Sequence, residues 1–141
     1  MRTLHLLSII TLTILLFGCN KEAVKIDEQQ KEDLKIFNGT YTGIVTVQYS
    51  KTTKTGTVRL ELNNGKHTCS GNNDRIPAGG SGTFSTRNGI IIFIDNMAWS
   101  ADFDHNLVLH GEYKYSFDGK KLTISAAKNN VGQYEYKLDK D

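Results

Sequence analysis

Beyond residue 39 the chain alternates apolar and polar side chains with a period of two, the signature of strands with one dry and one wet face. In TYTGIVTVQYS, Tyr41, Val45, Val47 and Tyr49 share a face opposite Thr40, Thr42, Thr46 and Gln48, with Ile44 out of step. Val58, Leu60 and Leu62 alternate with Thr57, Arg59 and Glu61. Leu107, Leu109, Tyr113, Tyr115 and Phe117 alternate with Val108, His110, Glu112, Lys114 and Ser116. The same rhythm recurs in KLTISA and QYEYKL, which puts Tyr134, Tyr136 and Leu138 inward. The pattern predicts strands over 40–50, 55–63, 66–71, 81–87, 90–95, 97–103, 107–117, 121–127 and 133–138.

The joints between these runs carry turn chemistry. Asn64-Gly65, Asn88-Gly89 and Asp118-Gly119 tolerate the positive φ of tight hairpins, and Asn129-Asn130 marks another turn. Asp104-His105-Asn106 suits a longer hairpin. Short connections make consecutive strands antiparallel neighbours. A meander of this length either leaves two exposed edges or curls until its ends pair, and closure removes the edges. Gly43, Gly56 and Gly111 inside regular strands supply the bends that a small barrel needs. The expected fold is all-β: a single antiparallel meander β-barrel of about eight strands.

Three stretches resemble a known family. GTYTG (39–43), GTFSTRNGIIIF (82–93) and LHGEYKYSFDGKKLTIS (109–125) look like the small lipocalin-like, calycin-type lipoproteins of Gram-negative bacteria. The tryptophan that marks many lipocalins near the first glycine is replaced here by Tyr41. The resemblance implies a barrel that takes a small hydrophobic ligand or serves as an inhibitor in the cell envelope.

The first 38 residues have a different texture. Arg2 followed by the short apolar run 4–17 is the layout of a signal peptide, and the run is too short for a spanning helix of roughly 20 residues. Leu16-Phe17-Gly18-Cys19 resembles the bacterial lipobox, which implies cleavage after Gly18 and lipidation of Cys19. Two or more acyl chains, each CH₂ contributing roughly 0.8 kcal/mol, hold a protein on its membrane. Lys21-Glu22 resembles an export signal that places lipoproteins on the outer leaflet, so the expected location is the outer membrane with surface exposure. The expected organisation is a signal peptide over 1–18, a lipidated polar tether over 19–38 and a barrel over 39–141. The segment 28–37 suits a short helix, with Leu34, Ile36 and Phe37 capping one end of the domain.

Charge removes one class of partner. The formal charge is +2 over the whole 141-residue chain and +1 without Arg2, with lysines and acids interspersed. Nucleic acid is excluded, because counterion release needs clustered Lys and Arg. Partners are expected to be the membrane, through the lipid anchor, together with a small hydrophobic ligand or an envelope protein. Besides Cys19 the only thiol is Cys69, which reads as a small core residue without an intramolecular disulfide.

The sequence offers little to an enzyme, and none is expected. Asp102, Asp104, His105 and His110 cluster along the chain, but a polar turn accounts for them more simply than a weak metal site. His67 and Cys69 share an inward face without a CxxC or HExxH to complete a metal site. No metal or other cofactor is expected. The irregular stretch 71–84 reads as a long connection, or else as a lid or a partner-contacting loop. Met97, Trp99, Ala101 and Phe103 alternate inward. The ligand-binding candidates are therefore the inward aromatics Tyr41, Tyr49, Trp99, Tyr113, Tyr115, Tyr134 and Tyr136. Buried phenols need partners, so these rings line a polar pocket or else fill a solid core.

Overall fold

Alternation and hairpin chemistry together close the sheet. The computed structural model describes residues 32, 34–72, 74–102, 104–128 and 131–141. Eight strands follow one another: β1 (Gly39–Gln48), β2 (Thr53–Asn63), β3 (Lys66–Ser70), β4 (Gly80–Arg87), β5 (Ile90–Asp95), β6 (Gly111–Phe117), β7 (Lys121–Lys128) and β8 (Gly132–Lys140). Each pairs antiparallel with the next, and β8 returns to β1 to give a closed barrel. The closing seam runs from Tyr41 opposite Lys140 to Gln48 opposite Gln133.

The inward positions are those the period picked out. Val45, Val47, Val58, Leu60, Leu62, Ile91, Phe93, Leu122, Ile124 and Leu138 are buried in one core with Tyr41, Tyr113, Tyr134 and Tyr136. Ile44, out of step in the sequence, faces outward. The hairpins at Asn64-Gly65 and Asn88-Gly89 have positive φ at both central residues (48° and 80°, 51° and 76°), the conformation that Asn-Gly adopts at least cost. At the β6–β7 turn Gly119 supplies positive φ, and the Asp118 carboxylate accepts from the Lys120 and Lys121 amides.

The end of the barrel that holds these three turns is stoppered by the segment before β1. Leu34 and Phe37 are buried, and the Phe37 ring packs against Phe84, Tyr115 and Phe117. The Tyr41 hydroxyl donates to the Phe37 carbonyl at 2.7 Å, which satisfies a buried acceptor and pins the plug. Ile36, expected to share this capping, is instead 59 % exposed. The tight turn that buries residues 34 and 37 turns the side chain between them outward, with the Phe37 and Asn38 amides bonding the Leu34 and Lys35 carbonyls.

The opposite end differs from the sequence reading. Residues 97–103 were expected to form a strand, but none of the described residues among them is in one. Between β5 and β6 runs a long connection with a 3₁₀ turn at His105–Leu107. Asp95 organises its start. Its carboxylate accepts from the Ser81 and Met97 amides and from the Trp99 indole N–H. β6 accordingly begins at Gly111 rather than 107, because Val108 bridges to Gly79 and Leu109 donates to the Gly79 carbonyl. The loop between β3 and β4 packs onto the same end. Pro77 is buried, Ile76 and Ala78 lie against the core, and the Ala78 amide donates to the Leu107 carbonyl. A Cβ on Gly56 would lie 1.8 Å from the Ile76 carbonyl oxygen, so glycine is required for the loop to seat.

The signal peptide, the lipidation of Cys19 and the greater part of the tether lie outside the described residues, as do Phe103 and the Asn129-Asn130 turn. Among the described residues no helix is long and apolar enough to cross a membrane.

The plug makes a contrast that mutation tests. Phe37→Ala should cost about 3–5 kcal/mol of unfolding free energy in urea titrations, as large-to-small changes in packed cores do. Ile36→Ala, one residue away, should stay within about 0.5 kcal/mol of the parent.

Candidate functional site

The sequence-predicted aromatics divide between the two ends of the barrel. Tyr41 and Tyr115 stand at the plugged end, where Tyr41 bonds the Phe37 carbonyl and Tyr115 meets the Phe37 ring edge-on at 5.3 Å. Burial pushes the Tyr41 phenol up to about 12. Trp99 is half-buried on the β5–β6 connection, not on a barrel strand, with its indole N–H 2.5 Å from the Asp95 carboxylate. Its alternation with Met97 and Ala101 mimics a strand, but the Asp95 carboxylate captures the backbone first. Tyr49, Tyr113, Tyr134 and Tyr136 gather towards the end closed by the two long connections, which we call the upper end.

That upper group is a polar cluster inside an apolar wall. The Tyr49 hydroxyl donates to the Asp104 carboxylate at 2.9 Å. Burial and this bond together raise the Tyr49 phenol well above its ordinary range. Burial works against the Asp104 carboxylate, but the Tyr49 hydroxyl and the Asn106 donors outweigh it and hold Asp104 below its usual value. Tyr113 and Tyr136 meet edge-on at 6.0 Å, and burial raises both phenols. Tyr134 stands two residues before Tyr136 on the same face of β8, its phenol raised by burial and by the charge of Asp104.

Two of these phenols have no partner. The Tyr113 and Tyr134 hydroxyls are enclosed without a hydrogen bond. The Tyr136 hydroxyl and the His110 backbone lie near enough to bias the acidity of Tyr113, but not in the geometry of a hydrogen bond. Lys128, at the end of β7, spans the pair, with its ammonium 4.6 Å from the Tyr134 ring centroid and 5.4 Å from that of Tyr113. The ammonium's one described hydrogen bond goes to the His110 carbonyl at 3.2 Å, and burial lowers its pKa. Nearly all buried polar groups in folded proteins are paired, so an unpaired one calls for a water, an ion or a ligand, or else carries a cost in stability.

His67 repeats the theme on the other side of the core. It faces inward with Cys69, as their shared strand face predicted, and its ring meets Phe93 edge-on at 5.1 Å. Neither ring nitrogen makes a hydrogen bond of good geometry, although the Thr83 backbone lies near enough to bias the ring. Burial pushes its pKa down, against the backbone of Thr83 and the carboxylate of Asp95, which favour the charged ring; His110 adds to the lowering. The Cys69 thiol is pushed up to about 12 by burial, which leaves it protonated and unreactive at neutral pH.

Asp102, Asp104 and His110, read from the sequence as parts of a polar turn, each have separate partners. Asp102 is fully exposed, bonded to the Ser100 hydroxyl and 3.5 Å from Arg75. Asp104 serves Tyr49, and the His110 Nδ1 accepts from the Asp95 amide at 3.2 Å. Among the described residues no group of three His, Cys, Asp or Glu side chains could hold a metal.

Comparison of the chain with protein-family models, with curated proteins and with solved structures found no match in any of the three. The structure defines the class as an eight-stranded antiparallel meander barrel, an architecture compatible with the calycin type.

His67 makes stability depend on pH. Its folded pKa lies below the unfolded value of about 6.5, so acid protonates the unfolded chain first. Stability should fall as pH drops below about 6.5, by at most about 1.4 kcal/mol per pH unit, and level off once the folded form also takes the proton. Thermal melts of the parent and of His67→Phe between pH 7.5 and 5 should show a shallower acid loss in the variant.

Proposed function

We propose that the protein is a non-enzymatic, membrane-anchored lipoprotein of the cell envelope that binds a small, largely apolar ligand in the upper half of its barrel. The anchor in this reading is lipid on Cys19, which sets the barrel at the surface of the outer membrane. The observation that carries the ligand reading is the pair of unpartnered phenols, Tyr113 and Tyr134, within a core that is apolar apart from its tyrosines and His67. A few convergent polar groups in apolar surroundings are how small-molecule sites fix orientation. Of the seven aromatics singled out in the sequence, those at the upper end fit this role. Tyr41 and Tyr115 serve the plug. Reactive chemistry finds no support in Cys69, whose thiol burial keeps protonated.

The alternative, a protein-docking module or peptidase inhibitor acting through the 71–82 loop, has less support. Ile76 and Ala78 of that loop pack against the barrel core instead of standing out as a contact surface.

Titrating the purified protein with a panel of small hydrophobes, followed by tyrosine and Trp99 fluorescence, should give saturable changes for at least one. Cys19→Ser should move the protein from the membrane to the soluble fraction while leaving that binding intact. Flat titrations across the panel would argue for a barrel filled only by its own side chains.

A further inference from the structure

β5 breaks the rule that the rest of the barrel obeys. Ile91 and Phe93 face inward, yet the outward positions, Ile90, Ile92 and Ile94, are aliphatic too. Among the described residues the outward positions of the other strands hold one further large aliphatic, Ile44 on β1. Ile94 is 51 % exposed, and Met97, three residues on, is 48 % exposed. Successive outward residues of a strand stand roughly 7 Å apart, so the row runs up the wall from the plugged end to the upper end. Ser85 and Thr83 on β4 pair with Ile92 and Ile94, and these short side chains leave the isoleucines proud of the wall. Contiguous apolar surface of this kind marks a site of contact.

Two observations say what covers it. The first is charge. Arg87 and Lys114 flank Ile90 on either side, and Lys66 stands beyond Thr83 in the row of Ile94. None of these three cations forms an ion pair among the described residues. Glu112, opposite Ile92, is the one acid at an outward position of β3 to β6. The far wall, made of β7, β8, β1 and β2, also carries three outward cations, but each is neutralised: Arg59 by Asp141, Lys121 by Asp139 and Lys137 by Glu135. An aliphatic row fringed by unpaired cations is complementary to an anionic lipid surface. The second observation is where the chain enters. Glu32 and Ile36 share a recess with Thr86, Arg87 and Asn88, where β4 turns into β5, so the chain arriving from Cys19 meets the barrel at the foot of the row. Twelve residues separate Cys19 from Glu32, a reach of at most about 45 Å. At that foot the exposed Ile36 extends the row, beside Lys35, which is paired with Glu32.

We propose that the barrel lies on its side on the bilayer that holds its anchor, with Ile90, Ile92, Ile94 and Met97 set among the headgroups and Lys66, Arg87 and Lys114 on anionic lipid. Lipid on Cys19 keeps this face at high local concentration beside the surface, so a weak contact suffices. This orientation rests on the anchor reading above and goes beyond it: the β1–β8 seam, across the barrel from β5, faces away from the membrane.

Trp99, the single tryptophan, reports on the far end of the row, because its indole and the Met97 amide share the Asp95 carboxylate. The lipidated protein is reconstituted into vesicles of phosphatidylcholine and phosphatidylglycerol whose acyl chains are plain or brominated. Brominated lipid should quench Trp99 in a barrel lying on β5, whereas a barrel standing on its plugged end holds Trp99 out of reach. Ile92→Thr combined with Ile94→Thr gives β5 the outward threonines that β1 and β2 carry, and it should abolish the quenching while the protein stays on the vesicles and its melting temperature holds. Ile44→Thr, on the opposite wall, should leave the quenching intact. Vesicles of phosphatidylcholine alone should quench less, and replacing Lys66, Arg87 and Lys114 together by Gln should remove that difference. A vesicle-bound protein whose Trp99 is not quenched, or whose quenching survives the two threonines, would overturn the lipid-facing row and leave the anchor standing. Equal quenching with and without phosphatidylglycerol would overturn the part given to the cations. Pairing of vesicle-bound protein that the two threonines abolish, without quenching, would assign the face to a second copy instead. A protein that does not stay with the vesicles would overturn the anchor and the orientation together.

Discussion

Closure of the sheet is the constraint on which everything else in this molecule depends. The seam between β1 and β8 converts a meander with two reactive edges into a wall with an inside and an outside. Only then does alternation acquire a meaning in three dimensions: one residue in two is committed to an interior just wide enough for side chains. Among the described residues twelve large side chains are almost completely enclosed there or against its two ends, four of them tyrosines. Phenols in such numbers inside a small barrel must each find an acceptor or go without. Tyr41 finds the Phe37 carbonyl, and Tyr113 and Tyr134 find none.

That difference separates the two ends by role. At the plugged end every feature is structural: Leu34 and Phe37 fill the opening, aromatic edges meet aromatic faces, and the one buried hydroxyl is satisfied. At the upper end Ile76, Pro77 and Leu107 cover the core, yet polar atoms beneath are left unmatched and β6 and β7 stop pairing beyond Lys114 and Ser125. A protein that needed only stability would gain by placing phenylalanine at 113 and 134, because unpaired buried hydroxyls cost free energy. The proposed ligand-binding role gives those two hydroxyls a reason to be kept.

Much of this was legible in the sequence, and the reasons are physical. Period two survives in a single chain because each strand meets water on one side, so 45, 47, 58, 60, 62, 122, 124, 134, 136 and 138 could be placed inward from pattern alone. Asn-Gly steps betray their turns because few other residues accept positive φ. The failures share a cause as well. Residues 97–101 alternate like a strand, but their backbone is claimed by the Asp95 carboxylate, a tertiary interaction that no local pattern records. Ile36 looked like a third member of the plug until the turn geometry showed that only its neighbours can point inward. The splay between β6 and β7 is invisible in sequence, since both strands keep their alternation through it. Ala126, the one small residue in an otherwise bulky inward row with Leu122 and Ile124, was the available signal.

Amide hydrogen exchange read residue by residue tests the central claim, a wall closed at the β1–β8 seam and parted between β6 and β7. The account predicts that amides bonded across β1 and β8 exchange only through global unfolding, and that those of 111–113 and 126–128 facing the gap exchange much faster than those of 114–117. Rapid exchange along the β1–β8 seam, or uniform protection across the whole of β6 and β7, would contradict it.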